Sequence, residues 1–279
     1  MDVEYIDDEY PDYDDQVEYI KTVPAKEADY VNSEDYLPLK ISDNLPFENL
    51  YSHQGEGLKK LSDGKDICVT TPTSSGKTLI YALHIARRVL NSKNETALLI
   101  YPTKALSRDQ KQELEEIYSN FNLDINVGVY DGDAGQERKR EIRNNCNVII
   151  SNFQGMNYYL PHHDKWSRIF KNLGTVVIDE AHTYTGIQGI HVSWIVRRIR
   201  RIVEKEYRSE PQFILSSATI GNPYEHASRL TGLEFDVINN DGSPRGKRDI
   251  LVWNPPTYYN DGVLERKSPH KETSDVTSY

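Results

Sequence analysis

Apolar residues fall along this chain in short runs separated by longer amphipathic stretches. The runs at 66–70, 97–101, 125–130, 147–150, 175–178, 212–216 and 234–238 are each bounded by turn-forming or charged residues. Such runs read as strands buried on both faces. Helical stretches lie between them at 107–121, 136–144, 153–160, 187–206 and 223–230. Another opens near Leu50 and runs to about Leu61, ahead of the first strand. Behind that strand, Leu79, Leu83, Ala86 and Leu90 are spaced four, three and four apart, which is one face of a helix. Strands alternating with helices predict βαβ units: an α/β fold, its sheet mostly parallel, with helices on both faces. Ligands of such folds sit at the carboxyl ends of the strands.

The candidate chemistry falls at those ends. Thr71-Pro72-Thr73-Ser74-Ser75-Gly76-Lys77-Thr78 joins the first strand to its helix. Strand, small-residue loop, Gly-Lys-Thr and helix is the context of a phosphate-binding loop. Backbone N–H groups from Thr73 to Gly76 would wrap phosphate oxygens, helped by the positive end of the helix. Lys77 would reach the β/γ-phosphates and the Thr78 hydroxyl would ligate Mg²⁺. The general pattern has Gly where Thr71 stands, so a Ser/Thr-rich helix-capping turn is the competing reading of this loop alone. Asp179-Glu180-Ala181-His182 follows the run at 175–178. Asp179 is placed to hold Mg²⁺, and Glu180 to polarise an attacking water. Gln54 offers the donor–acceptor pair that matches the N6/N7 edge of adenine. Thr103 with Lys104, and Ser151 with Asn152, stand where a helix start meets nucleic-acid phosphates. Ser217 and Thr219 would sit beside the acidic pair and couple it to the second ligand.

Composition changes the picture in three places. The net charge of −10 looks wrong for a polyanion partner, but nine acids and no Lys or Arg lie in residues 1–20, so the remainder is near neutral. Bulk charge then decides nothing, and local patches must. Residues 1–20 interleave acids with four tyrosines and read as a solvated tail; 21–49 read as an extended lead-in. Cys68 and Cys146 fall in or beside predicted strands and read as buried free thiols. No run of about 18 apolar residues is present, so no membrane span is expected. The acidic start is unlike a signal peptide. A cytoplasmic, nucleoid or nuclear setting is expected, neither secreted nor membrane-bound.

Gln54, the loop ending Gly76-Lys77-Thr78, Pro102-Thr103-Lys104, Asp179-Glu180-Ala181-His182 and Ser217-Ala218-Thr219, taken together, resemble superfamily 2 helicases of the DEAD/DEAH type. Tyr130-Asp131-Gly132-Asp133, Leu160-Pro161-His162-His163 and Leu251-Val252-Trp253-Asn254-Pro255-Pro256 look like the DNA-repair branch related to the Rothmund–Thomson helicase and its fungal and bacterial relatives. The resemblance implies a RecA-like P-loop NTPase domain over 50–250 that uses ATP and Mg²⁺ to move 3′ to 5′ on single-stranded DNA. It also implies roles. Lys77, Asp179 and Glu180 would be catalytic, and Thr78 and Asp179 metal ligands. Gln54 and 73–78 would bind nucleotide. His182, Ser217 and Thr219 would couple hydrolysis to movement. Thr103, Lys104, Ser151 and Asn152 would touch the strand. Thr in place of Gly at Thr71 is commonplace in that superfamily.

Helicases of this kind use a second RecA-like domain with a Gln-x-x-Gly-Arg-x-x-Arg segment, and the sequence contains none. Residues 251–279 read as an inter-domain linker and polar tail. The partner domain is expected in cis or in trans, and weak turnover is expected from this chain alone. A nucleotide-binding docking module without turnover, or an RNA-directed domain, are the alternatives. Arg197, Arg198, Arg200 and Arg201 read as a solvated basic face on a helix whose apolar stripe is Ile195, Ile199, Ile202 and Val203. His162, His163 and Asp164 read as polar loop residues, and Trp166 and Phe170 as core.

Overall fold

The structure, a computed structural model, describes residues 16–277. It divides into a larger unit, Asp29–Ser243, and a smaller one that combines Met1–Ala28 with Pro244–Tyr279. The expected acidic tail lies outside the described residues up to position 15. Its last part does not: β1 (Val17–Val23) starts inside it and belongs to the smaller unit.

The larger unit opens with a small antiparallel pair, β2 (Tyr30–Asn32) and β3 (Asn49–Tyr51). Between them Asn32 caps a 3-10 turn through Glu34 N–H, and a short helix α1 (Leu39–Ser42) buries Ile41. The stretch expected as an extended lead-in is therefore folded, because it has an Asn cap and buried Leu37 and Ile41 to anchor it. The helix expected from Leu50 starts two residues later, as α2 (Ser52–Ser62), since Leu50 and Tyr51 are held in β3.

The alternation follows. It runs β4 (Ile67–Val69), α3 (Lys77–Asn91), β5 (Thr96–Ile100), α4 (Lys104–Asn120), β6 (Val127–Val129) and α5 (Gln136–Asn145). It continues with β7 (Val148–Ser151), α6 (Phe153–Tyr159), a 3-10 stretch Leu160–Trp166, α7 (Ser167–Lys171) and β8 (Leu173–Ile178). It ends with α8 (Gly186–Tyr207), β9 (Gln212–Ser216), α9 (Pro223–Thr231) and β10 (Asp236–Ile238). The strands form one seven-stranded sheet in the order β10-β4-β9-β8-β5-β7-β6, and every pairing in it is parallel. Every residue of β4, β5, β7 and β8 is buried, because each strand has packing on both faces.

Successive side chains serve opposite layers. Leu98, Ile100, Val176 and Ile178 enter one core with Trp166, Phe170 and the buried stripe of α8, while Leu99 and Val177 enter the other with α2, α3 and α4. The stripe expected on α8 is the buried one, with Ile202 at its margin. The stripe expected on α3 is not. Ile80 through Ala86 are all buried, whereas Leu79 and Leu90 are only partly so. α3 is flanked by α1, α2 and α4 as well as by the sheet, so one face is too few. Gly57 permits the α2 approach: a Cβ there would stand 2.9 Å from Ile80 Cγ2. Cys68 and Cys146 are buried free thiols, and burial pushes Cys68 up to about 12.

In the smaller unit β1 pairs antiparallel with β11 (Arg248–Trp253). β12 (Thr257–Asn260) and β13 (Val263–Arg266) form a hairpin, followed by α10 (Pro269–Thr277). The turn is Asp261-Gly262, both with left-handed φ (48° and 79°), the two-residue turn that Asp-Gly favours. Residues 251–277 of the stretch expected as a linker and polar tail are thus not a plain tail, because that turn signal pairs two strands. Among the described residues no helix is long and apolar enough to cross a membrane.

Candidate active site

The all-parallel sheet brings seven strand-end loops to its carboxyl edge. The loop after β4 is held from several sides. Thr71 is buried and its hydroxyl meets that of Ser75 at 2.7 Å, so the Thr that replaces the usual Gly clamps the loop's two ends together. Ser74 and Gly76 take left-handed φ (62° and 78°), which turns the chain into α3. Two neighbours in the first turn of α2 hold the far side. Gly242 N donates to His53 Nδ1 at 3.1 Å, so the ring proton sits on Nε2 and is donated to Ser75 O at 3.1 Å. Gln54 Nε2 donates to Gly76 O at 3.0 Å, and its Oε1 accepts from Tyr51 N at 2.9 Å. Lys77 Nζ folds back onto Thr71 O (2.9 Å) and Pro72 O (2.7 Å). With these carbonyls engaged, the loop has chiefly N–H groups to offer a ligand. Burial lowers the Lys77 pKa, and the charges of Asp179, Glu180 and Asp241 oppose that.

Asp179 follows β8 directly, and its N–H bonds Ile100 O at 3.0 Å. Its Oδ1 accepts from Glu180 N at 2.8 Å and its Oδ2 from the Tyr81 hydroxyl at 3.3 Å. Burial pushes this carboxyl up; bonds from Ser216, Glu180 N–H and Tyr81, and the Lys77 charge, pull it back. The same Tyr81 hydroxyl is 3.3 Å from Thr78 Oγ1. Thr78 and Asp179 therefore share a contact although they are far apart in sequence. Their hard oxygens fit Mg²⁺, which takes one or two protein ligands and keeps several waters. A carboxylate whose burial is only partly offset is one that a dication would stabilise. Glu180 has a left-handed φ of 50°, and its Oε2 lies 3.3 Å from His182 Nδ1. That nitrogen is also 3.5 Å from Ser217 Oγ and 3.4 Å from Ala218 N. His182 and Ser217 thus stand together, whereas Thr219 is exposed and outside that cluster.

The loops expected to meet nucleic acid divide. Thr103 caps α4 by accepting from Leu106 N at 3.3 Å, which is why the helix starts at Lys104 and not at 107. Lys104 is exposed and pairs with Asp133 at 2.6 Å, as Arg108 does at 3.0 Å. Asn152 caps α6 through Gly155 N at 2.7 Å. Ser151 is a correction: it is buried, and its hydroxyl donates to Tyr130 O at 2.9 Å, tying β7 to β6 rather than facing a strand.

Sequence reading missed His53, Tyr81, Tyr101, Gln110 and Glu113. Tyr81 and Tyr101 are buried, their hydroxyls 2.9 Å apart, and burial raises both well above the usual phenol range, so they remain O–H groups. Periodicity reads such positions as core; only their polar tips signal otherwise. Two arginines of α8 also differ from a solvated face, while Arg201 is exposed. Arg197 reaches Leu230 O and Arg229 O, and Arg200 reaches Thr231 O and Gly232 O, closing the C-terminus of α9. His163 Nδ1 meets the Tyr207 hydroxyl at 2.9 Å.

Comparison with known proteins converges on one group. Residues 51–227 match the DEAD/DEAH box helicase family. The chain is 40% identical over 230 residues to the uncharacterized ATP-dependent helicase YprA of Bacillus subtilis, covering 82% of this chain and 30% of that protein. It is 37% identical to the ATP-dependent helicase hrq1 of Schizosaccharomyces pombe, covering 86% of this chain and 23% of that one. Its fold matches the crystal structure of the DUF1998 helicase MrfA bound to DNA and AMPPNP with a TM-score of 0.89 at 34% identity, over 99% of this chain and 38% of that one. The chain spans less than a third of the length of these curated relatives.

Proposed function

The chain belongs to the DEAD/DEAH box helicases and has their RecA-like fold, and from that premise we propose that it is the ATP-binding motor domain of a 3′-to-5′ DNA helicase of the repair branch. It would couple ATP hydrolysis to movement on single-stranded DNA. One observation carries this reading: Lys77, Thr78, Asp179 and Glu180 converge at one edge of the sheet, with Thr78 and Asp179 on a single tyrosine hydroxyl.

Each residue then has a task. The loop N–H groups from Thr73 to Gly76 bind phosphate oxygens, and Lys77 exchanges the Thr71 and Pro72 carbonyls for phosphate. Gln54, whose amide already bridges Tyr51 and Gly76, keeps one N–H and one lone pair for the adenine edge. Thr78 and Asp179 would hold Mg²⁺, which when bound neutralises phosphate charge. Glu180 takes the proton of the attacking water, and its contact with His182 passes the change to Ser217. Lys104, Thr103 and Asn152 present the strand-facing edge. A second RecA-like domain, in cis or in trans, would supply the arginines that this sequence lacks, which are worth roughly 10³–10⁵ in turnover in related chemistry.

The test is ATP hydrolysis by this chain with and without single-stranded DNA, beside Glu180→Gln and Lys77→Ala. The expected outcome is nucleotide binding that Lys77→Ala removes, with slow turnover that Glu180→Gln abolishes. Binding that ignores Lys77→Ala would sink the reading. Substituting single-stranded RNA distinguishes a DNA motor from an RNA-directed one.

A further inference from the structure

The Tyr81 hydroxyl has one hydrogen and more oxygens than it can serve. Within reach lie Tyr101 Oη at 2.9 Å, Gln110 Oε1 at 3.2 Å, Thr78 Oγ1 at 3.3 Å and Asp179 Oδ2 at 3.3 Å. Tyr101 faces the same choice on a smaller scale, between Tyr81 and Gln110 Oε1 at 3.2 Å. Gln110 is fixed in turn, its Nε2 donating to Glu113 Oε2 at 2.6 Å. Thr78 lowers the pKa of the Glu113 carboxyl, against the burial that raises it. The cluster is thus a chain of polar atoms running from Thr78 through Tyr81, Tyr101 and Gln110 to Glu113, with Asp179 attached at Tyr81.

Packing alone does not account for it. A purely structural core at these depths is served by Phe, since each buried hydroxyl loses water and has to be repaid by a partner. Here the partners are the two oxygens proposed for the cation, on one side, and helix α4, on the other. A threonine that gives its lone pair to a cation must send its hydrogen elsewhere, and the Glu113 carboxylate is there to accept it. α4 begins at Lys104, capped by Thr103, on the edge proposed for nucleic acid. Gln110 lies about 9 Å farther along the same rigid helix. Whatever fixes the start of α4 fixes Gln110 and Glu113.

We propose that Tyr81, Tyr101, Gln110 and Glu113 are positioning residues that orient Thr78 and Asp179 toward Mg²⁺, and that α4 carries the state of the nucleic-acid edge to them. When a strand holds Thr103 and Lys104, Gln110 takes the Tyr101 hydrogen, Tyr81 gives its own to Asp179, and Glu113 takes that of Thr78. This inference rests on the reading of Thr78 and Asp179 as cation ligands.

The experiment is a MgCl₂ titration of fluorescent ATP-analogue binding to the full chain, with and without single-stranded DNA. It compares wild type with Tyr81→Phe, Glu113→Gln and Lys77→Ala. Tyr81→Phe removes only the hydroxyl, and Glu113 is at the surface, so at least one variant folds. Expected is a rise of roughly 10–100-fold in the Mg²⁺ midpoint for Tyr81→Phe and Glu113→Gln. The metal-free nucleotide affinity stays within about twofold, because the loop and Lys77 are intact. Single-stranded DNA lowers the midpoint of wild type and leaves those of the two variants where they are. Unchanged midpoints in both variants, beside loss of binding in Lys77→Ala, overturn this inference and leave the ATP site standing. Binding that survives Lys77→Ala overturns both.

Discussion

Glu180 holds a left-handed φ of 50°, a conformation that costs a non-glycine residue roughly 1–2 kcal/mol. The strain falls on the residue proposed to take the water's proton. Glu180→Gly should therefore be more stable than Glu180→Gln by about 1 kcal/mol, although both lose hydrolysis. Urea unfolding of the two variants checks this; equal midpoints would remove the strain argument. Gly76 presents the converse case. Its φ is 78°, and a Cβ there would stand 2.6 Å from Gln54 Nε2. Gly76→Ala should break the bridge to α2, weaken nucleotide binding and cost roughly 1–3 kcal/mol, read by nucleotide titration and thermal unfolding. These two residues, with Lys77, Thr78 and Asp179, were legible in the sequence because their motifs are local. The contacts that hold them were not. His53 meets the loop across 22 residues and Tyr81 meets Asp179 across 98, distances over which a pattern carries no information.

Helices were legible by period, but their ends and their roles were set by neighbours. α4 starts where the Thr103 hydroxyl caps it, and α9 ends where Arg197 and Arg200 cover its last carbonyls. The double variant Arg197→Ala/Arg200→Ala should lose roughly 1–2 kcal/mol of stability. It should leave the salt dependence of single-strand binding unchanged; a shallower salt slope would instead put these arginines on the nucleic acid. α3 makes a pH prediction. Burial, with the Arg87 and Arg88 charges, lowers His84 to about 3. Arg87 donates to its Nδ1 at 3.2 Å, and its Nε2 finds no hydrogen-bond partner among the described residues. The folded protein keeps this ring neutral, while the unfolded chain takes up a proton below about pH 6.5. Stability should therefore be full above pH 6.5 and fall as pH drops toward 3, by up to roughly 1.4 kcal/mol per unit. His84→Leu should flatten that limb of a melting-temperature series between pH 4 and 7.

At the scale of the molecule, the sequence made the α/β alternation plain and left the strand order open. The period of 66–70 marks a strand, but nothing local says that it lies between β9 and β10. Likewise the folded lead-in and the β12–β13 hairpin depend on an Asn cap and an Asp-Gly turn, signals easily passed over in polar sequence. All residues of the proposed site lie within Asp29–Ser243. A fragment of that extent should bind nucleotide as the full chain does; loss of binding, seen in the same titration, would give the smaller unit a part in the site. The strand order has one more consequence, which belongs to the protein's making. β4 pairs only with strands translated long after it, and Asp66 already waits for Phe213 across 147 residues. A ribosome adding about 5–20 residues per second needs roughly 7–30 s to cover that gap. Through that interval each nascent chain carries the proposed phosphate loop on a strand with neither neighbour made, so nucleotide could not guide its folding. On the proposed reading, a grip on ATP arrives only when the unit is nearly complete.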